Sequence, residues 1–304
     1  MSASKLEKIG TYHVPALLNE TVDLLNIRPG KKYLDATLGG GGHSEEIVKR
    51  GGILLGIDQD PEALSYASIR LKQACPGLTP PKFAKGNFVN LAKLAEENGF
   101  EKVDGVLFDL GVSSHQFESA SRGFSFSQEV SLDMRMDPAL SVTAKDLVNG
   151  LTEKELAELF TKLGEEKFSG RYAKAIVRYR QNKQIEKCSE LAQIIVSQAP
   201  PSEKFRKIHP ATRVFQALRI AVNDELNSLK ESLPQSVDLL NQGGRLVVIS
   251  FHSLEDGVVK RFFLEKQKQN ILKIINSKPI IPSGNEIKLN PRSRSAKLRG
   301  AEKL

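Results

Sequence analysis

The chain has 304 residues, with 44 Lys and Arg against 36 Asp and Glu for a formal net charge of +8. The length exceeds the usual single-domain size, so a large domain with an insertion or a second domain is expected, and the basic balance favours a polyanionic partner. Two distant cysteines exclude a disulfide framework and no apolar stretch approaches the ~18 residues of a membrane span; with a polar, mixed-charge stretch from Met1 to Gly10, a soluble cytoplasmic protein without a secretory signal is expected.

In chain order, an amphipathic run through Leu17, Leu18, Val22, Leu24, Leu25 and Ile27 predicts a helix stopped by Pro29-Gly30. A short apolar run then ends on Asp35, passes through Gly39-Gly40-Gly41-Gly42 and enters a helical pattern, Glu45 to Arg50. A second apolar run, Ile53 to Ile57, ends on Asp58, which completes a strand, glycine turn, helix, strand unit. Pro61 opens the next helix, where its missing N–H costs nothing. Phe83-Ala84 give a short third strand, a helix through Leu91, Leu94 and Ala95 ends at Asn98-Gly99, and Val103 to Asp109 form a fourth buried strand ending in an acid. Strand–helix alternation of this kind specifies a parallel sheet covered on both faces, an α/β class.

The rhythm breaks at Leu110, and the strand signal returns only in residues 243–251. The expected organisation is residues 1–110 and 211–304 as one cofactor-binding domain and residues 111–210 as an inserted helical domain for substrate recognition. Val214 to Leu233 is expected to be the crossover helix back to the sheet, and residues 271–275 and 285–289 are expected to supply closing antiparallel strands.

Open parallel sheets bind ligands at the carboxyl ends of their strands, which places Asp35, Asp58 and Asp109 on one edge. Each acid alone could equally cap a helix. Glycines admit a nucleoside where a Cβ would clash, and Asp58 is placed to accept from both ribose hydroxyls. A dinucleotide frame wants a third glycine where this chain has Ser44 or Glu45, and acids in the first helical turn oppose a pyrophosphate. S-adenosylmethionine, whose sulfonium and ammonium are cationic, fits better, with a dinucleotide and a ligand-free glycine connection as the alternatives. His43 is expected to contact the cofactor and Phe88 to pack on an adenine, unless it is simply a core residue.

The strand ending in Asp109 leaves where a methyl acceptor belongs. An exocyclic amine on a base has its lone pair delocalised into the ring, and a carboxylate accepting from that NH2 favours attack by nitrogen. Carbon methylation would need a cysteine nucleophile; Cys75, in a surface-loop signal, and Cys188, in a basic helical stretch, leave no sheet strand. Lys167, Arg171, Lys174 and Arg178 recur on one helix face, and Lys288, Arg292, Arg294, Lys297, Arg299 and Lys303 form a second basic group, so nucleic acid is the expected partner. Phe124 and Phe126 either stack on an extruded base or anchor the insertion. Five histidines show no metal-ligand spacing, so no metal is expected; His252 either touches substrate or caps a helix.

Asp35-Ala-Thr-Leu-Gly-Gly-Gly-Gly-His-Ser44, Asp109-Leu-Gly-Val-Ser-Ser114, Leu132-Asp-Met-Arg-Met-Asp137, His209-Pro-Ala-Thr-Arg-Val-Phe-Gln-Ala-Leu-Arg219 and Ile249-Ser-Phe-His-Ser-Leu-Glu-Asp256, in this order, resemble the bacterial small-subunit ribosomal RNA cytosine-N4 methyltransferases, the RsmH or MraW family. The resemblance implies a class I S-adenosylmethionine-dependent methyltransferase fold (Rossmann-like) with an inserted helical domain. It further implies methylation of the N4 amine of a decoding-centre cytosine in 16S rRNA, with naked RNA or the small ribosomal subunit as partner. The family's cofactor contacts fall on Gly41, Gly42, His43, Asp58, Phe88, Asp109 and Gln116. His115 stands where the family commonly has a proline, which argues against a catalytic role for it. DNA amino-methyltransferases usually carry Asp/Asn-Pro-Pro-Tyr/Phe where this chain has Asp-Leu-Gly-Val. A binding factor that keeps the pocket without turnover is the alternative of a different class.

Overall fold

The computed structural model describes residues 15–112, 122–126, 129–204 and 208–304. It divides into two compact units, one comprising the chain up to residue 113 and from Leu226 onward, the other residues 114–225.

In the first unit, helix α1 (Leu18–Leu25) leads into β1 (Lys32–Asp35), α2 (Gly42–Lys49), β2 (Ile53–Asp58), α3 (Pro61–Ala74), β3 (Lys82–Lys85), α4 (Leu91–Glu97) and β4 (Val103–Asp109). After the second unit the chain returns through α11 (Glu225–Leu239), β5 (Leu240–Ser250), α12 (Ser253–Lys268), β6 (Leu272–Ile274), α13 (Gly284–Leu289) and β7 (Lys297–Lys303). The seven strands lie in the order β3-β2-β1-β4-β5-β7-β6, the first five parallel and β7 antiparallel to both of its neighbours.

Both faces of the sheet are covered, which is why its central strands read as unbroken apolar runs. Leu34, Leu55, Val106, Phe108, Leu246 and Val248 pack with Leu229 and Leu233 of α11 and Phe263 of α12. The alternate residues Tyr33, Leu54, Leu107, Val247 and Ile249 pack with Leu25, Ile47 and Leu71. Fully burying side chains of this size contributes about 1.5–3 kcal/mol each.

The second unit is helical among its described residues: α5 (Ala144–Gly150), α6 (Glu153–Gly164), α7 (Ser169–Arg180), α8 (Cys188–Gln198), the single turn α9 (Pro201–Lys204) and α10 (Thr212–Asn223). Thr143 with Asp146, and Thr152 with Glu155, form capping boxes that start α5 and α6. Helix α6 packs on both α7 and α10.

Two expectations need correction. The run from Val214 to Leu233 is two helices, because Asp224 takes a left-handed φ of 47° and ends α10, and α10 clusters with the second unit. Residues 285–289 lie in a helix, capped by Ser283 Oγ accepting from the Glu286 N–H at 3.1 Å. The closing strands are β6, as expected, and β7, which occupies the stretch read as a basic tail. No helix among the described residues is long and apolar enough to cross a membrane.

Candidate active site

Strands β2, β1 and β4 are neighbours, and their register sets Asp35 opposite Gly56 and Leu107. Asp35, Asp58 and Asp109, the last residues of these three parallel strands, therefore share the carboxyl edge of the sheet. Asp35 and Asp58 tie down their own turns rather than capping helices. Asp35 Oδ1 accepts from the Thr37 N–H at 3.2 Å and its Oδ2 from Ser44 Oγ at 2.7 Å. Asp58 Oδ1 accepts from the Asp60 N–H at 2.9 Å and its Oδ2 from the Gly39 N–H at 2.8 Å. The cap of α3 is Asp60, through the Glu62 N–H at 3.0 Å.

The turn between β1 and α2 needs glycine for backbone reasons. Gly39 and Gly41 have φ of 49° and 73°, where a Cβ is disfavoured. A Cβ on Gly41 would also stand 3.1 Å from Ala67 Cβ, and one on Gly42 would stand 2.9 Å from Pro15 Cγ. At positions 41 and 42 the chain's own packing thus accounts for the absence of a side chain.

His43, 4 % exposed, joins the acids. Its Nε2 lies 3.1 Å from the Ala16 carbonyl oxygen and its Nδ1 lies 3.4 Å from Asp109 Oδ2. Both ring nitrogens face acceptors, an arrangement satisfied by the doubly protonated ring. Burial works against that charge, but the hydrogen bond to Asp109 and the charges of Asp109 and Asp35 outweigh it, so the imidazole pKa is raised. Burial raises Asp35 as well, opposed by the Ser44 hydroxyl and by His43. Burial pushes Asp58 up to about 6, against the hydrogen bonds from Asp60 and Gly39. The Asp109 N–H donates to Thr37 Oγ1 at 2.6 Å, which fixes the end of β4 against the glycine turn.

Phe88 opens a 3-10 turn after β3, half-buried, with its ring edge-on to Phe108 at 5.5 Å between centroids. Gln116, with His13, His115, Ser113 and Ser114, lies outside the described residues.

Other candidates resolve into structure. His252 is the N-cap of α12, its Nδ1 accepting from the Glu255 N–H at 3.4 Å, while Glu255 Oε2 accepts from the Phe251 N–H at 2.8 Å. Cys75 is buried at the end of α3 rather than in a surface loop, and burial raises its thiol pKa; burial pushes that of Cys188 up to about 12. Neither suits a nucleophile. Phe124 is buried, and Phe126 stacks on His209 within its own unit, ring centroids 4.4 Å apart. Arg171, Lys174 and Arg178 are exposed on α7 opposite its buried Tyr172, Ala173 and Ile176. The C-terminal basic group is smaller than its sequence implies: Arg299 is 6 % exposed and paired with Asp256, and Lys303 Nζ donates to the Val237 and Leu240 carbonyls.

Sequence reasoning missed Ser44 and Thr37 as partners of the edge carboxylates. Thr37 had a signal, since a residue two beyond an Asp is the usual partner of an Asx turn. Ser44 had none, because its hydroxyl meets Asp35 only after the turn closes.

The sequence matches the MraW methylase family over residues 10–304. The chain belongs to that family. Two family relatives are both described as ribosomal RNA small subunit methyltransferase H. The protein from Carboxydothermus hydrogenoformans is 49% identical over 96% of this chain and 98% of its own, and that from Clostridioides difficile is 45% identical over 96% and 99%. A solved structure of an rRNA methylase from Streptococcus thermophilus aligns at 12% identity over 96% of this chain and 98% of its own, with a TM-score of 0.46.

The edge suits a cationic nucleoside better than a phosphate. Three carboxylates converge there. Arg70, a cation beside the glycine turn, places Nη1 3.3 Å from the Gly40 carbonyl oxygen but is held by Glu45 at 2.7 Å. Each Asp58 oxygen accepts a backbone N–H and keeps a further lone pair, the donor-hungry arrangement that a ribose diol satisfies.

Proposed function

We propose that this chain is an S-adenosylmethionine-dependent methyltransferase of the small-subunit ribosomal RNA, acting in the cytoplasm on the exocyclic N4 amine of a decoding-centre cytosine in 16S rRNA. The observation that carries the reading is the row of Asp58, Asp35 and Asp109 at the tips of three adjacent parallel strands, beside a left-handed glycine turn. Membership of a methylase family supports the reaction class, and the relatives' description supports the RNA.

In this reading Asp58 holds the ribose hydroxyls, Gly41, Gly42 and His43 border the cofactor, Asp35 supplies negative charge beside it, and Phe88 offers a half-open ring to the adenine. Gln116 is assigned to the same site from the family resemblance. The cofactor supplies an electrophilic methyl group. Asp109 is the catalytic residue: its carboxylate accepts from the cytosine NH2 and orients the nitrogen lone pair, and stabilises the positive charge that develops as nitrogen is alkylated. His43, hydrogen-bonded to Ala16, fixes where that carboxylate points. The proton leaves to water after transfer.

The test is nucleoside mass spectrometry of small-subunit RNA incubated with the protein and methyl-labelled S-adenosylmethionine. Labelled N4-methylcytidine supports the reading; RNA that is bound but never labelled supports the binding-factor alternative.

A further inference from the structure

A cavity of about 370 Å³ opens at the carboxyl end of β5 and belongs wholly to the first unit. Phe251, Ile281 and Ile287 give it an apolar wall, Arg294 and Lys297 give it two cations, and no acid lines it among the described residues. We propose that this cavity binds a nucleotide of the same RNA strand that carries the methylated base, its base against the apolar wall and its phosphate between Arg294 and Lys297. The proposal rests on the reading of the protein as an RNA methyltransferase.

Position supports it. Asp109 pairs in register with Ile249, and the next residue of β5, Ser250, pairs with Lys297 of β7. The Lys297 backbone therefore lies two strand spacings, roughly 10 Å, from the Asp109 backbone at the same end of the sheet. A chain leaving the target base toward β5 arrives at this cavity.

Charge supports it too. Asp256 faces both Lys297, at 3.4 Å, and Arg299, at 2.6 Å, so one positive charge of the three groups is uncompensated. Arg294 is exposed and has no carboxylate partner among the described residues. With the neighbouring Lys297 this makes a site for one phosphate, which Arg binds bidentately. The wall is also held in place. Ile280 and Leu298 exchange backbone hydrogen bonds of 3.0 and 2.9 Å, which fixes the adjoining Ile281 although 66 % of it is exposed. A base packed on that side chain covers apolar surface that water otherwise meets.

The experiment uses the full chain, with unmethylated small ribosomal subunits for turnover and a labelled single-stranded 16S fragment for binding across a salt series. Arg294→Glu is expected to raise KM for RNA about tenfold, with kcat within about twofold of the wild type, and to reduce the salt slope of RNA binding by about one phosphate contact. Ile281→Ser is expected to raise KM several-fold without changing the salt slope. Lys31→Glu, the same charge change just before β1 on the opposite edge of the sheet, is expected to change neither. The proposal is overturned if Arg294→Glu leaves KM and the salt slope unchanged, or if Lys31→Glu matches it. It is also overturned if free cytidine monophosphate raises the wild-type Tm through Arg294 while RNA binding ignores the substitution. If wild-type protein fails to methylate the RNA, the function reading falls, and the salt slopes alone decide the cavity.

Discussion

His43 Nδ1 stands 3.4 Å from Asp109 Oδ2 while the opposite ring nitrogen stands 3.1 Å from the Ala16 carbonyl oxygen. One buried ring thus bridges the segment before α1 to the end of β4. Removing it in His43→Ala takes one donor from the half-buried Asp109 carboxylate and one from the Ala16 carbonyl, and should destabilise the fold by about 2 kcal/mol in urea. Because the folded pKa is raised above the ordinary 6.5, this contribution is complete below pH 6.5 and is lost as pH rises through the folded value. His43→Ala should therefore flatten the fall in Tm above that pH; an identical profile in the variant contradicts a charged His43.

Asp58 carries a different pH dependence. Its folded pKa is pushed from 3.8 up to about 6, so the folded state holds a proton that the unfolded chain has released. Stability is greatest below pH 3.8 for this group and falls as pH rises through about 6. Over that window the loss is roughly 3 kcal/mol. The ribose needs the ionised form, so S-adenosylmethionine affinity should weaken below about pH 6. Asp58→Ala should raise the calorimetric Kd at least about tenfold at pH 7.5 and abolish that pH dependence; an unchanged Kd removes the ribose role.

Asp109→Asn keeps the shape of the acceptor and loses its charge. Methyl transfer should fall by about 100-fold or more in single turnover, with cofactor affinity changed far less. Wild-type turnover would take Asp109 out of the mechanism.

Much of this edge was legible before folding. The acids terminating β1, β2 and β4 are visible because each ends an apolar run, and period and punctuation locate such ends well. The glycine turn was legible as a turn, but what forbids side chains at Gly41 and Gly42 was not, since Ala67 and Pro15 arrive from other elements. The bridge from His43 to Ala16 spans 27 residues and has no local signal. Strand β7 was hidden by its charges: Lys297, Arg299 and Lys303 read as part of a basic group for nucleic acid, whereas Asp256 and two carbonyls pair them. Residues 285–289 misread as a strand because their cap, Ser283 to Glu286, outweighs a short alternation.

The β7 pairing is itself testable. Arg299 donates to both Asp256 oxygens, at 2.6 and 3.3 Å, from a nearly buried position. Arg299→Met should cost about 3 kcal/mol in urea denaturation, with Lys297 remaining to limit the loss. A change within about 0.5 kcal/mol would mean the pair contributes nothing net.

Gly41→Ala probes the turn. The substitution places a Cβ at φ 73° and 3.1 Å from Ala67 Cβ, and should cost about 1–2 kcal/mol of stability. Gly77, also at positive φ but with open space around it, gives the comparison: Gly77→Ala should cost less, and equal losses would show that α3 does not press on the turn.

The most direct measurement is a crystal structure with S-adenosylhomocysteine, the demethylated cofactor. The ribose hydroxyls are expected on Asp58 and the sulfur on the side of the sheet edge that faces Asp109. The molecule bound elsewhere, or with its ribose away from Asp58, would contradict this assignment.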